Sequence, residues 1–230
     1  MDPLSLVLVV AAAAAGVSAV VWYRRRQVAR ARTRLRQAET DLRDIETALE
    51  TFVRSGNYIP ESIRRPLGTK VVQIAEGSLP PIAKVVRRVR DSGMRQESEV
   101  ALCHGNELRR ILESHNDQYV ERMMAEHSKL LVDDLKADEA QRKAIVRDDA
   151  RNLVIAGAGS GKTRTVVGRI RFLLERNVPA IAILAVTFTD KATEEMQDRL
   201  KQTGVPIADR EKGGVTVSTL HSLGKRVVQA

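Results

Sequence analysis

Hydrophobic residues are arranged in three different ways along this chain. From Leu4 to Tyr23 there is no charge, only Leu, Val and Ala with two serines and one glycine, and the run closes on Trp22 and Tyr23 ahead of Arg24, Arg25 and Arg26. A helix of about 20 such residues spans a bilayer. Trp and Tyr suit the headgroup level, and the arginine cluster suits the cytoplasmic side. Asp2 is the only charge ahead of the run. The pattern therefore predicts an uncleaved single-pass anchor rather than a secretory signal.

The second pattern is helical. Val28, Ala31, Leu35, Ala38, Leu42, Ile45, Leu49 and Phe52 recur at alternating spacings of three and four, as a coiled-coil seam requires. The first half of this helix is rich in Arg, while its second half carries Glu39, Asp41, Asp44, Glu46 and Glu50. A parallel self-pair would set like charges side by side, so an antiparallel partner fits better. The stretch Glu107 to Leu135 offers Leu108, Ile111, Leu112, Tyr119, Met123 and Leu130. Self-association and intrachain pairing of this stalk both remain open. Between the helices, Gly56, Pro60, Pro66, Gly68, Gly77, Pro80, Pro81 and Gly93 divide the connection into short pieces. Pro80 and Pro81 are placed to open a helix over Ile82 to Arg90. Its Lys84, Arg87, Arg88 and Arg90 read first as a solvated face, and otherwise as a contact for DNA or anionic lipid.

The third pattern alternates short apolar runs with helices. Leu153 to Ile155 predicts a strand, and Thr165 to Leu174 predicts a helix with Val166, Val167, Ile170, Leu173 and Leu174 at helical spacing, ended by Asn177 and Pro179. Ile181 to Val186 predicts a second strand, and Val215 to Val217 a third that runs into Ser218 to Gly224. Strands and helices in this order predict an α/β fold with a mostly parallel sheet and ligands at the carboxyl ends of its strands.

Between the first strand and its helix lies Ala156, Gly157, Ala158, Gly159, Ser160, Gly161, Lys162, Thr163. Glycines let successive backbone N–H groups turn toward one anion, and the helix adds its positive N-terminus. Lys162 reaches the β- and γ-phosphates, and the Thr163 hydroxyl meets Mg²⁺. The strand–loop–helix context makes this a P-loop for ATP-type ligands, in a variant form with Ala156 where the general pattern has Gly.

The segments NLVIAGAGSGKT, ILAVTFTDKATEEMQDRL and VTVSTLHSLG resemble the first three motifs of the UvrD/Rep group of superfamily-one DNA helicases. The stretch Ser114 to Leu131 is similar to what precedes the motor in the helicase IV branch. The resemblance implies a RecA-like P-loop NTPase and a motor with 3′ to 5′ polarity on single-stranded DNA. It implies that Gln141 meets the adenine, that Arg164 stacks on the base, and that Lys162 and Thr163 hold ATP and its Mg²⁺. It further implies that Thr187, Phe188, Thr189 and Lys191, with Thr219, His221 and Ser222, contact the DNA strand. Hydroxyls and an ammonium suit phosphates, and an aromatic ring suits a base face. The chain departs from the family at Asp190, where Asn is usual, and at Leu220, where Phe is usual. Asp190 is expected either to point away from the DNA strand or to cap a helix beginning at Lys191.

Hydrolysis by such a motor also needs a second acidic strand end and distal arginines, which no segment after Gly224 supplies. The chain is therefore expected to be the N-terminal piece of a longer protein, its sheet incomplete at the C-terminal side and little active alone. The segments expected are an anchor at 1–23, a coiled-coil-like helix at 24–54, a connector at 55–96, a second long helix at 97–135 and a partial ATP-binding domain at 136–230. The alternatives are a membrane-bound nucleotide-switch adaptor, or a motor subunit of a nuclease or polymerase-displacing complex. The charge of +9 favours polyanionic surroundings. One cysteine, Cys103, allows no intrachain disulfide, and His104, His115 and His127 lack the paired spacing of a zinc site.

Overall fold

The computed structural model describes residues 3–89, 91–208 and 213–229, with 3–15 and 89 described in backbone only. The chain divides into two compact units, Met1–Asn116 and Asp117–Ala230.

The first unit is all helical. α1 (Pro3–Ser55) is continuous, and α2 (Glu61–Val72) passes through a π-helical turn, Gln73–Ser78, into α3 (Leu79–Val89). α4 (Ser92–Glu126) follows, and the boundary between units falls inside it. The heptad stripe of α1 forms the core of this unit. Ala31, Leu35, Ala38, Leu42, Ile45 and Leu49 are all buried, with Val28 and Phe52 packed at the ends. Their partners are Ile59, Val71, Ile74, Leu79, Ile82 and Val86 from the return arm and Met94, Ala101, Leu108 and Leu112 from α4.

The expected antiparallel pairing of α1 with Glu107 to Leu135 is corrected here. Arg32 pairs with Asp91 at 3.2 Å and Glu46 with His104 at 3.3 Å. Residue numbers thus rise together, and α4 runs parallel to α1. The antiparallel neighbour is the arm from α2 to α3, whose Ile74, Gly77, Ser78 and Pro81 line one groove with Arg34, Gln37, Ala38 and Asp41. The reason is topological. A helix, a return arm and a second long helix make three passes, so the third must follow the first.

The turn into α2 is held by Asn116. Its side-chain oxygen accepts from the Ile59 N–H at 2.8 Å and its amide donates to the Ile59 carbonyl at 2.9 Å, all buried. Pro80 and Pro81 sit in the first turn of α3, where missing N–H groups cost little. Lys84, Arg87 and Arg88 are exposed on that helix, and Arg90 lies outside the described residues.

Among the described residues no helix is long and apolar enough to cross a membrane. The side chains of residues 4–15, most of the expected anchor, lie outside those described. At its far end Trp22 and Tyr23 are exposed, and the Arg26 guanidinium lies 5.0 Å from the Trp22 ring.

In the second unit α4 leads through a π-helical turn, Lys129–Asp134, to α5 (Glu139–Val146) and α6 (Lys162–Glu175). β1 (Leu184–Thr187), α7 (Asp190–Gln202), β2 (Thr216–Thr219) and α8 (Leu220–Gln229) complete it. β1 and β2 are parallel, with Leu184 opposite Thr216 and Thr187 opposite Thr219. Val167 and Ile170 of α6 and Met196 and Leu200 of α7 cover Ile183, Ala185, Val215 and Val217.

Two helix ends show why the chain turns where it does. After α6, Asn177 takes φ +62°, its N–H donates to the Leu174 carbonyl, and the Val178 N–H donates to that of Leu173. After α7, Gly204 at φ +76° makes the same pair of bonds with Lys201 and Leu200 through itself and Val205.

The parallel sheet predicted from the sequence is present with two strands. The expected strand Leu153 to Ile155 does not form, and its side chains are 87%, 49% and 91% exposed. A strand needs a ladder partner and a covering layer, and among the described residues this run pairs with neither β1 nor β2.

Candidate nucleotide and nucleic-acid site

α5 begins with a reciprocal cap. The Asp138 carboxylate accepts from the Gln141 N–H at 2.8 Å, while the Gln141 side-chain oxygen accepts from the Asp138 N–H at 3.2 Å. The other end of the same amide donates to the Ser160 carbonyl at 2.8 Å. Gln141 and the P-loop, 19 positions apart, are thus in direct contact.

The loop itself is shaped by Gly159 at φ +75° and Gly161 at φ +80°. At Gly161 a Cβ would lie 2.7 Å from the Gln141 amide nitrogen as well as being strained by φ. Gly161 is the N-cap of α6 and brings no side chain to the helix's first N–H groups. They face outward as donors, together with the positive end of the helix. The Lys162 ammonium lies over the loop, donating to the Gly157 carbonyl at 2.6 Å and the Ala156 carbonyl at 3.3 Å. The Ser160 hydroxyl also donates to Gly157, at 2.8 Å. Thr163 is half-buried in the first turn of α6, and Arg164 beside it is exposed. Ala158 is exposed in the loop.

The other predicted residues gather at the carboxyl ends of the two strands. Thr187 and Thr219 stand opposite one another as the last pair of the ladder. Thr189 caps α7, its hydroxyl accepting from the Ala192 N–H at 3.2 Å. Asp190 is therefore the first residue of α7 and not its cap, a correction to the sequence expectation. Its carboxylate, in the first turn, still favours the helix electrostatically. Phe188 is 79% exposed and Leu220 is 58% exposed, each just beyond its strand. The Thr219 hydroxyl accepts from the Ser222 N–H at 3.2 Å and lies 3.0 Å from the Ser222 hydroxyl. Lys191 and His221 are exposed, and Arg226 donates to the Ser218 hydroxyl at 2.8 Å.

One cluster went unforeseen. Asp148, just past α5, accepts from Arg169 at 2.8 Å and Arg176 at 2.5 Å, and Tyr119 donates to it at 3.3 Å. Arg169 also donates to the Ile145 carbonyl at 2.7 Å. Both guanidinium groups lie over the ring of the fully buried Phe172, at 5.4 and 5.5 Å, with the His127 ring edge-on at 4.8 Å. Burial alone would raise the Asp148 carboxyl, but the hydrogen bonds and charges of Arg176 and Arg169 outweigh it and hold the group below its usual range. Burial, followed by the Asp148 charge, pushes the Tyr119 hydroxyl up. In the sequence Asp148 is one of two adjacent loop acids, and nothing in its spacing from Arg169 and Arg176 announces the cluster.

A glycine-shaped loop that ends in Lys-Thr at a helix N-terminus, followed by a parallel strand pair, defines a P-loop nucleotide-binding unit. Residues 137–230 match the UvrD/REP helicase N-terminal domain. The chain is 44% identical over 95 residues to DNA helicase II of Salmonella typhimurium. It is 41% identical over 90 residues to the ATP-dependent DNA helicase PcrA of Bacillus subtilis, and 38% over 96 residues to the ATP-dependent DNA helicase Rep of Escherichia coli. These matches cover 39–41% of this chain and 12–14% of the relatives.

Proposed function

We propose that the protein is an ATP-dependent DNA helicase or translocase and that the second unit supplies its first nucleotide-binding half and part of its DNA track. The observation that carries this reading is the P-loop geometry joined to Gln141. The loop residues Ala156 to Gly161 and the free N–H groups opening α6 fit a triphosphate, and Lys162 already lies over the loop. On binding, the ammonium exchanges the Gly157 and Ala156 carbonyls for phosphate oxygens. Gln141, whose amide offers a donor and an acceptor together, suits the edge of an adenine, and Arg164 suits its face. The Thr163 hydroxyl would hold Mg²⁺, which would neutralise phosphate charge.

Thr187, Phe188, Thr189 and Lys191 of the β1 end and Thr219, His221 and Ser222 of the β2 end would grip the strand. Exposed Phe188 stacks on a base while Lys191 and the hydroxyls meet phosphates. The test is Lys162→Ala in the intact protein. DNA-stimulated ATP hydrolysis should be lost, and its retention would refute the assigned site.

The location is a separate proposal, supported by sequence alone. The uncharged run Leu4 to Tyr23, with arginines following, would anchor the protein in a membrane and leave the P-loop unit on the cytoplasmic side. Extraction of membranes with carbonate tests it, since complete release of the protein would exclude an anchor.

A further inference from the structure

Reading a base with one short amide requires that α5 be held at a fixed place relative to α6. Among the described residues, the contacts that join α5 and the segments flanking it to α6 and the loop that opens it include three that bear on this. The first is apolar, since Gly168 lets α6 approach so closely that a Cβ there would lie 2.6 Å from Ile145 and 2.8 Å from Leu135. Apolar packing is non-directional and tolerates sliding. The second is the bond from Gln141 to Ser160, made by the same amide nitrogen that a base would claim. The third is directional and independent of any ligand. Arg169 holds the Ile145 carbonyl, in the last turn of α5, and the Asp148 carboxylate with the two nitrogens of one guanidinium. Arg176, two turns further along α6, takes the other carboxylate oxygen. Asp148, just past α5, is therefore tied to two points of the α6 segment that lie two turns apart, Arg169 within the helix and Arg176 at its C-cap.

We propose that Asp148 is a positioning residue for adenine recognition: by bridging Arg169 and Arg176 it holds the Gln141 helix in register with the phosphate-binding helix. This inference rests on the reading that Gln141 meets the base. Asp148 touches no part of the ligand. Its loss should therefore weaken the contribution of the base and leave that of the phosphates.

The test compares the Mg²⁺ complexes of ATP and of inorganic tripolyphosphate binding to the 230-residue chain by calorimetry, with thermal melting as a check on folding. Asp148→Asn keeps the size of the side chain and removes the charge that satisfies both arginines. ATP affinity should fall about 5- to 10-fold, the worth of roughly one hydrogen bond to the base, with tripolyphosphate affinity within about 2-fold of the parent. Arg169→Lys, which cannot hold Asp148 and the Ile145 carbonyl together, should do the same and serves if Asp148→Asn does not fold. Gln141→Ala should remove the same preference directly.

If Gln141→Ala loses the preference for ATP while Asp148→Asn and Arg169→Lys keep it, the positioning role is wrong. An equal loss of both ligands in Asp148→Asn and Arg169→Lys would overturn it too, by reducing the cluster to general support of the fold. Should Gln141→Ala keep the preference, the base contact lies elsewhere, and that reading fails together with this one. A parent chain that does not bind tripolyphosphate would count against the phosphate site itself.

Discussion

The side-chain amide of Gln141 donates to the backbone carbonyl of Ser160 at 2.8 Å, so the helix that precedes the P-loop and the loop itself form one constructed site. Gly161 lies beneath that bond. Its φ of +80° is strained for any residue with a Cβ, and a methyl there would press on the Gln141 amide. Gly161→Ala should cost about 1–2 kcal/mol of stability and weaken tripolyphosphate binding to this chain. Melting and calorimetry on the same preparation would measure both.

Asn116 satisfies both backbone groups of Ile59 within a buried turn. Asn116→Leu leaves an N–H and a carbonyl without partners, at about 1–3 kcal/mol each. The helical unit should melt at lower temperature or lower denaturant, followed by circular dichroism, with tripolyphosphate binding by the second unit retained.

Phe188 is nearly free of protein contacts. Phe188→Ala should leave the melting temperature within about half a kcal/mol equivalent of the parent. Affinity for single-stranded DNA should fall by about 1–3 kcal/mol if a base stacks there. Fluorescence anisotropy with a labelled oligonucleotide would report the change, and an unchanged affinity would remove Phe188 from the track.

Asp148 gives a pH prediction. Its native carboxyl lies below its ordinary value because Arg176 and Arg169 overcome the effect of burial. The unfolded group thus binds protons more readily than the folded one, so this contribution to stability rises with pH and is lost as pH drops. The contribution is complete above the usual carboxylate range and is lost as pH drops through it toward the lowered native value. The difference in stability between the parent and Asp148→Asn should therefore be constant from about pH 7 to about pH 5 and shrink below about pH 4. Denaturant titrations across that range would test the sign.

Much of this arrangement was legible in the residues. The stripe from Val28 to Phe52 named the core of the first unit because burial at three-and-four spacing has one helical solution. Periodicity carries no information about partner direction, so the parallel course of α4 was missed. The P-loop was readable because Gly159, Gly161 and Lys162 are close in sequence and their chemistry is local. Asp190 and Thr189 were confused because either residue type caps a helix, and only the backbone at Thr189, in an extended conformation, decides between them. The strand expected at Leu153 to Ile155 had the right composition. Composition cannot supply a neighbouring edge. The Asp148 cluster was invisible because its members come from α4, the end of α5 and α6, and they meet only after folding.

The common rung of Thr187 and Thr219 means that the two strand ends have no freedom to travel separately. A displacement of either is resisted by the other, and a polymer lying across both would meet one tooth instead of two fingers.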